Sequence, residues 1–161
     1  MSDHHQGQCA CGHVKYRMTS DPMFVHCCHC KSCQRELGTA FAINAMVEAD
    51  RVELLSGAPV LVDVPSDSGK GQKIYRCPKC EIAVWSKYAL DGGIGDKVYF
   101  IRVGTLDEPG RLPPDIHIFT KSKLPWVVIP EGALAVDVYY SRSAMWPEES
   151  LKRRAALSDE S

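Results

Sequence analysis

Apolar residues in this chain recur mostly at every second position, the period of a strand with one buried face. Val14-Lys15-Tyr16-Arg17-Met18 alternates in this way, and so does Phe41-Ala42-Ile43-Asn44-Ala45-Met46-Val47. Arg51 to Leu55, Val60 to Val64, Lys73 to Tyr75, Ala83 to Trp85 and Val98 to Val103 are further short β-prone runs. Turn-forming stretches separate them: Ser56-Gly57, "SDSGKG" at 66–71, Asp91-Gly92-Gly93 and Glu108-Pro109-Gly110. Two segments depart from the alternation. Lys31 to Leu37 has helix-forming composition, and in the tail Pro147, Glu148 and Glu149 precede Lys152, Arg153 and Arg154, the charge order a helix dipole prefers. The pattern predicts a mainly β fold with short helices and a C-terminal helix.

The length of 161 residues suggests one domain, 1–161, long enough to bury an ordinary core. A net charge of -1 leaves no large basic field for nucleic acid, and the one basic run, Lys152-Arg153-Arg154, reads as a solvated helix face. The amino terminus "MSDHHQGQ" is polar, and no stretch approaches the ~20 apolar residues of a membrane span. The expectation is a soluble, cytoplasmic protein in which His4 and His5 are disordered surface residues. "SDSGKG" and "DGGIGD" lack the spacing of phosphate-binding loops and read as turns.

The chemistry lies in eight cysteines, at 9, 11, 27, 28, 30, 33, 77 and 80. A disulfide framework, a metal cage and a reactive site are the alternatives. A reducing compartment disfavours disulfides, and the short spacings within Cys9-Ala10-Cys11, Cys28-His29-Cys30 and Cys77-Pro78-Lys79-Cys80 suit knuckles that wrap a metal ion. Cys9 with Cys11 and Cys77 with Cys80 are two knuckles from distant segments. Together they make a closed four-thiolate zinc site that clips the amino-terminal strand to a later hairpin.

Cys28, Cys30 and Cys33 form C-x-C-x-x-C, with no fourth cysteine at comparable spacing. Cys27 faces the other way, because neighbours on an extended chain point to opposite sides. Three thiolates and an open position are the pattern of a catalytic-type zinc. His29 could complete that set, or could be an imidazole packed beside the ligands. A helix starting at Lys31 would favour thiolate over thiol there.

Four stretches then carry a resemblance: "GQCACGHVKY" at 7–16, "CHCKSCQRELGTAF" at 28–41, the "SGKG" turn before "RCPKC" at 76–80, and "HIFTKSKLPW" at 117–126. In this order they resemble the glutathione-dependent formaldehyde-activating enzyme family, which includes the centromere protein V-like domain. The resemblance covers about residues 7–146, with 147–161 as a helical tail. It implies a β-tent fold around a structural zinc at Cys9, Cys11, Cys77 and Cys80, and a second, catalytic-type zinc at Cys28, Cys30 and Cys33. Two zinc ions per chain are expected. The implied activity is that of a carbon–sulfur lyase joining glutathione and formaldehyde as S-hydroxymethylglutathione. The family usually has glycine where Glu81 stands, so a different turn is expected there; Cys27 is an extra thiol.

Three cysteinates and one zinc carry a formal charge of about -1, which suits a sulfur nucleophile better than an activated water. The catalytic residues expected are Cys28, Cys30, Cys33 and His29, with His29 or His117 as the proton donor. Arg35, Lys121 and Lys123 could hold substrate carboxylates or simply be solvated, and Trp126 packs in the core or lines the pocket wall. Expected partners are a small thiol such as glutathione and a small aldehyde, with no nucleic acid and no membrane; a homo-oligomer stays open. The competing readings are a non-catalytic zinc-binding module and a thiol/redox-responsive protein.

Overall fold

The computed structural model describes residues 4–159. A small antiparallel sheet is built from β1 (His5–Gln8), β2 (Lys15–Met18) and β5 (Val52–Ser56), with β2 in the centre. The larger sheet holds β3 (Phe24–Cys28), β4 (Ala42–Glu48), β6 (Val60–Val64), β7 (Gln72–Arg76), β8 (Ala83–Tyr88), β9 (Val98–Arg102) and β10 (Ile116–Ile118). Its order is β10-β3-β4-β9-β8-β7-β6, antiparallel throughout except where β10 pairs with β3. Three helices complete the described elements longer than one turn of 3₁₀: α1 (Lys31–Leu37), α2 (Arg142–Met145) and α3 (Glu148–Asp159).

Strand β2 forms because one of its faces is buried, whereas β4 is buried along nearly its whole length between two cores and β5 and β6 stay largely exposed. Val14, Tyr16 and Met18 turn inward onto Val25, Ala45, Val47, Val84 and Ile101 in one core. Tyr16 meets Trp85 edge-on at 5.3 Å between ring centroids and bonds Thr105 Oγ1 at 2.6 Å. Residue 7 has to be glycine for this packing, since a Cβ there would lie 2.6 Å from the Tyr16 ring. On the other face Phe24, Met46, Phe100, Ile116 and Ile118 form a second core, closed by Trp146 and Leu157 of the C-terminal segment. Strand β3 therefore buries both faces, and all five of its residues are buried. It shows no alternation, which is why the sequence pattern passes over it.

Two expectations are corrected. His5 is not disordered: it lies in β1, 4% exposed, with Nε2 2.6 Å from Asp21 Oδ1. Nor is the basic run of α3 wholly solvated. Arg153 reaches Glu48 at 2.6 and 2.8 Å and the Asp21 carbonyl at 3.1 Å, anchoring the helix to the sheet.

Helix α1 follows directly on β3. The Cys30 sulfur caps it by accepting the Cys33 N–H at 3.3 Å, and Gly38 ends it in the left-handed conformation, φ +64°. One buried carboxylate clamps it to the sheet: Glu36 bridges Arg102 at 3.1 Å and Arg76 at 3.0 Å. Arg76 immediately precedes Cys77, so this bridge runs from the helix that carries Cys33 to the turn that carries the second cysteine pair.

Candidate metal centres

Cys9 and Cys11 sit in the turn leaving β1, which closes through Cys9 N–H to Val14 O at 3.0 Å. Cys77 and Cys80 sit in the turn from β7 to β8, closed by Cys77 N–H to Ile82 O at 3.0 Å. The two turns meet, with Cys9 and Cys11 sulfurs 3.6 Å apart and Cys11 and Cys77 sulfurs 3.8 Å apart. All four sulfurs lie within 4.8 Å of one another. Thiolates ~2.3 Å from a single tetrahedral zinc stand ~3.8 Å apart, so the donor set fits that ion. Backbone N–H groups point at the sulfurs: Val14 at Cys9, 3.3 Å, and Lys79 at Cys77, 3.4 Å. A backbone hydrogen bond from Ile82 draws the Cys80 thiol down to about 6.

The turn at Glu81 keeps the backbone a glycine would take. Glu81 has φ +63°, in the left-handed region, and donates its N–H to Cys77 O at 2.9 Å. Glu81 thus holds a conformation that glycine adopts without strain.

Cys28 ends β3, Cys30 caps α1 and Cys33 lies in its first turn, and their sulfurs form a second group within 4.8 Å. Among the described residues, no further Cys, His, Asp or Glu ligand atom shares that neighbourhood. Cys30 is the anionic member: hydrogen bonds from the Cys28 and Cys33 thiols pull it down to about 2. Cys28 is correspondingly raised to about 12 and Cys33 is raised too, each by its hydrogen bonding within the triad, then by burial. Three sulfurs this close together suit a divalent cation, which takes cysteine as thiolate.

Cys27 points to the opposite face. Its sulfur lies 3.6 Å from His29 Nε2, which in turn lies 3.0 Å from His117 Nδ1. These three make a separate group within 4.8 Å. His117 is placed by the parallel register, opposite Cys27, and the two imidazoles stack at 5.3 Å between centroids. Burial, then the charges of His117 and Lys123, push His29 down to about 4.

A cavity of about 430 Å³ opens over Cys28, Cys30 and Cys33. A larger one, about 630 Å³, lies between β6–β7 and the Gly93–Asp96 turns, but no thiol or imidazole lines it. Chemistry, not size, picks the former. His29 and His117 do not line it; His26, Asn44 and Gln72 do. Arg35, Lys121 and Lys123 also lie outside its lining, and Lys123 Nζ instead donates to the carbonyls of Leu124 and Val127. Trp126 is neither core nor pocket wall: it is 71% exposed. Sequence reasoning missed His26 and Tyr139 because neither belongs to a cysteine motif, and Tyr139 arrives from 106 residues beyond Cys33 only through tertiary packing of the C-terminal segment.

The fold and its sulfur groups define a β-sheet protein with cysteine and histidine clusters able to coordinate metal. The family model described as glutathione-dependent formaldehyde-activating enzyme matches residues 4–122, and the chain belongs to that family. It is 24% identical over 129 residues to a Halomonas elongata protein whose name provisionally makes it such an enzyme, covering 77% of this chain and 80% of that one. A solved Rhodobacter sphaeroides protein structure, 20% identical, matches with a TM-score of 0.44 over 63% of this chain and 87% of its own. No helix among the described residues is long and apolar enough to cross a membrane.

Proposed function

We propose that the chain is a zinc-dependent carbon–sulfur lyase that joins a thiol to a small carbonyl such as formaldehyde, glutathione being the thiol that the family name supplies. On this reading the two sheets joined at the four-thiolate clip are the family's β-tent. Cys9, Cys11, Cys77 and Cys80 hold a structural zinc, Cys28, Cys30 and Cys33 a catalytic one. The single observation that carries the reading is a group of three sulfurs, with no fourth protein ligand beside it among the described residues, opening onto a cavity.

Bound zinc would supply an open coordination place at which an incoming thiol loses its proton. In the reaction one carbon–sulfur bond forms, the carbonyl π bond breaks, and the thiol proton ends on the carbonyl oxygen, giving a hydroxymethyl thioether. The chain positions the partners against each other in the cavity. Asn44 is 4% exposed, and its Oδ1 already accepts from Arg102, which leaves its amide N–H to stabilise the developing oxygen anion. His29 faces away from the cavity, so we place it as a positioning residue. Its N–H donates to Ile118 O at 3.0 Å and its carbonyl accepts from Gln34 Nε2 at 2.8 Å, fixing the link between β3 and α1.

The test is the initial rate of formaldehyde consumption with zinc-loaded protein and a panel of thiols that includes glutathione. Acceleration above the spontaneous rate, lost in Cys30→Ser, supports the reading; no acceleration with any thiol rejects it.

A further inference from the structure

The walls of the cavity over Cys28, Cys30 and Cys33 speak to which thiol enters. Its volume of about 430 Å³ suits a small organic molecule. Tyr88, Leu90, Phe100, Ile118, Phe119 and Tyr139 line it with rings and aliphatic groups. No lysine or arginine is among its lining residues. Among the described residues the one carboxylate there is Asp67, and three cysteinates around one zinc would carry a formal charge of about -1. His26, 2% exposed, already has its Nε2 bonded to the Tyr140 hydroxyl. Gln72, 4% exposed, has a side-chain carbonyl oxygen without a hydrogen-bond partner, which repels a carboxylate and accepts from a neutral donor. An acidic thiol would therefore lose water around its carboxylates and meet negative charge in return.

Phe119 strengthens the case. A bulky residue at φ +55° is a backbone outlier, held there by Phe119 N–H to Val138 O at 2.9 Å. The Phe119 side chain lines the cavity. Tyr139 belongs to the segment beyond the family match, which ends at residue 122, so part of the wall is built by residues outside the family's shared region.

We infer that the thiol this site selects is an uncharged molecule with an aromatic or aliphatic body, rather than an acidic peptide thiol. The inference deepens the reading above and rests on it for the role of the thiol. Benzyl mercaptan and glutathione, titrated calorimetrically into the zinc-loaded protein, decide it, with rates of formaldehyde consumption measured in parallel. Benzyl mercaptan should bind at least about tenfold more tightly than glutathione. Phe119→Ala should shrink that ratio by weakening benzyl mercaptan alone. Equal or tighter binding of glutathione overturns the inference while leaving the proposed reaction intact. A preference for benzyl mercaptan in binding, with no thiol accelerated, upholds the selectivity and rejects the reaction.

Discussion

Cys27 and Cys28 are consecutive residues of β3 whose sulfurs belong to different groups: Cys27 Sγ lies 3.6 Å from His29 Nε2, whereas Cys28 Sγ stands with Cys30 and Cys33. The separation follows from the strand, where successive side chains point to opposite faces. Cys27→Ser should therefore leave zinc content at about two ions per chain. Cys28→Ser should lower it by one. Metal analysis of the purified variants checks both. Loss of an ion from Cys27→Ser would show that Cys27, His29 and His117 themselves bind metal.

The two expected zinc sites should differ in what they hold together. Cys9 and Cys11 follow β1 in the small sheet, while Cys77 and Cys80 join β7 to β8 in the large one, so an ion among them ties the sheets across the 66-position separation of Cys11 and Cys77. Cys28, Cys30 and Cys33 span a single strand–helix junction that backbone hydrogen bonds already organise. Cys30→Ser should lose one ion and still melt cooperatively. Cys77→Ser should lose cooperative melting, since a structural site's binding energy is folding energy. Circular dichroism melts with parallel metal analysis would reveal it; identical unfolding of both variants refutes the division.

How much of this is legible in the sequence depends on whether a signal is local. Strand β6 and helix α1 appear with the limits their patterns predict, because β-branched composition and cap residues act within a few positions, although β6 is exposed along most of its length. The cysteine groups are legible in part, because the spacing of Cys9 to Cys11, Cys77 to Cys80 and Cys28 to Cys33 is local, while only the fold brings the first two pairs together. Strand β3 is not, since Phe24–Cys28 is buried throughout and its sequence shows no alternation. His26 and Tyr139 are not, since only tertiary packing brings them to one cavity. Trp126 misleads for the opposite reason: aromatic character favours burial, but nothing in the fold covers that position.

Glu81 tests the turn beside the four-thiolate group. At φ +63° its Cβ crowds the backbone, a cost that glycine avoids. Both Glu81→Gly and Glu81→Ala remove the exposed side chain, and only the second keeps the Cβ. The glycine variant should exceed the alanine variant in stability by about 1 kcal/mol. Denaturant melts of the zinc-loaded proteins measure the difference. Equal stabilities would mean the left-handed conformation carries no strain.

Acid sensitivity should be concentrated at the contact between α3 and β4. Glu48 is 4% exposed, and burial alone would raise its pKa; the hydrogen bonds from Arg153 outweigh that and hold the carboxyl below its ordinary value of 4.5. A carboxyl with a depressed folded pKa contributes stability that is complete above its unfolded pKa. That stability is lost as pH falls through the folded one. Arg153→Ala leaves a buried carboxylate without its main partner and should cost about 3 kcal/mol at neutral pH. The variant should also lose stability less steeply below pH ~4.5, because protonating Glu48 then breaks nothing. Urea melts of both proteins between pH ~7 and ~3.5 give the two curves. Parallel curves through the acid range would show that the pair does not set the protein's acid response.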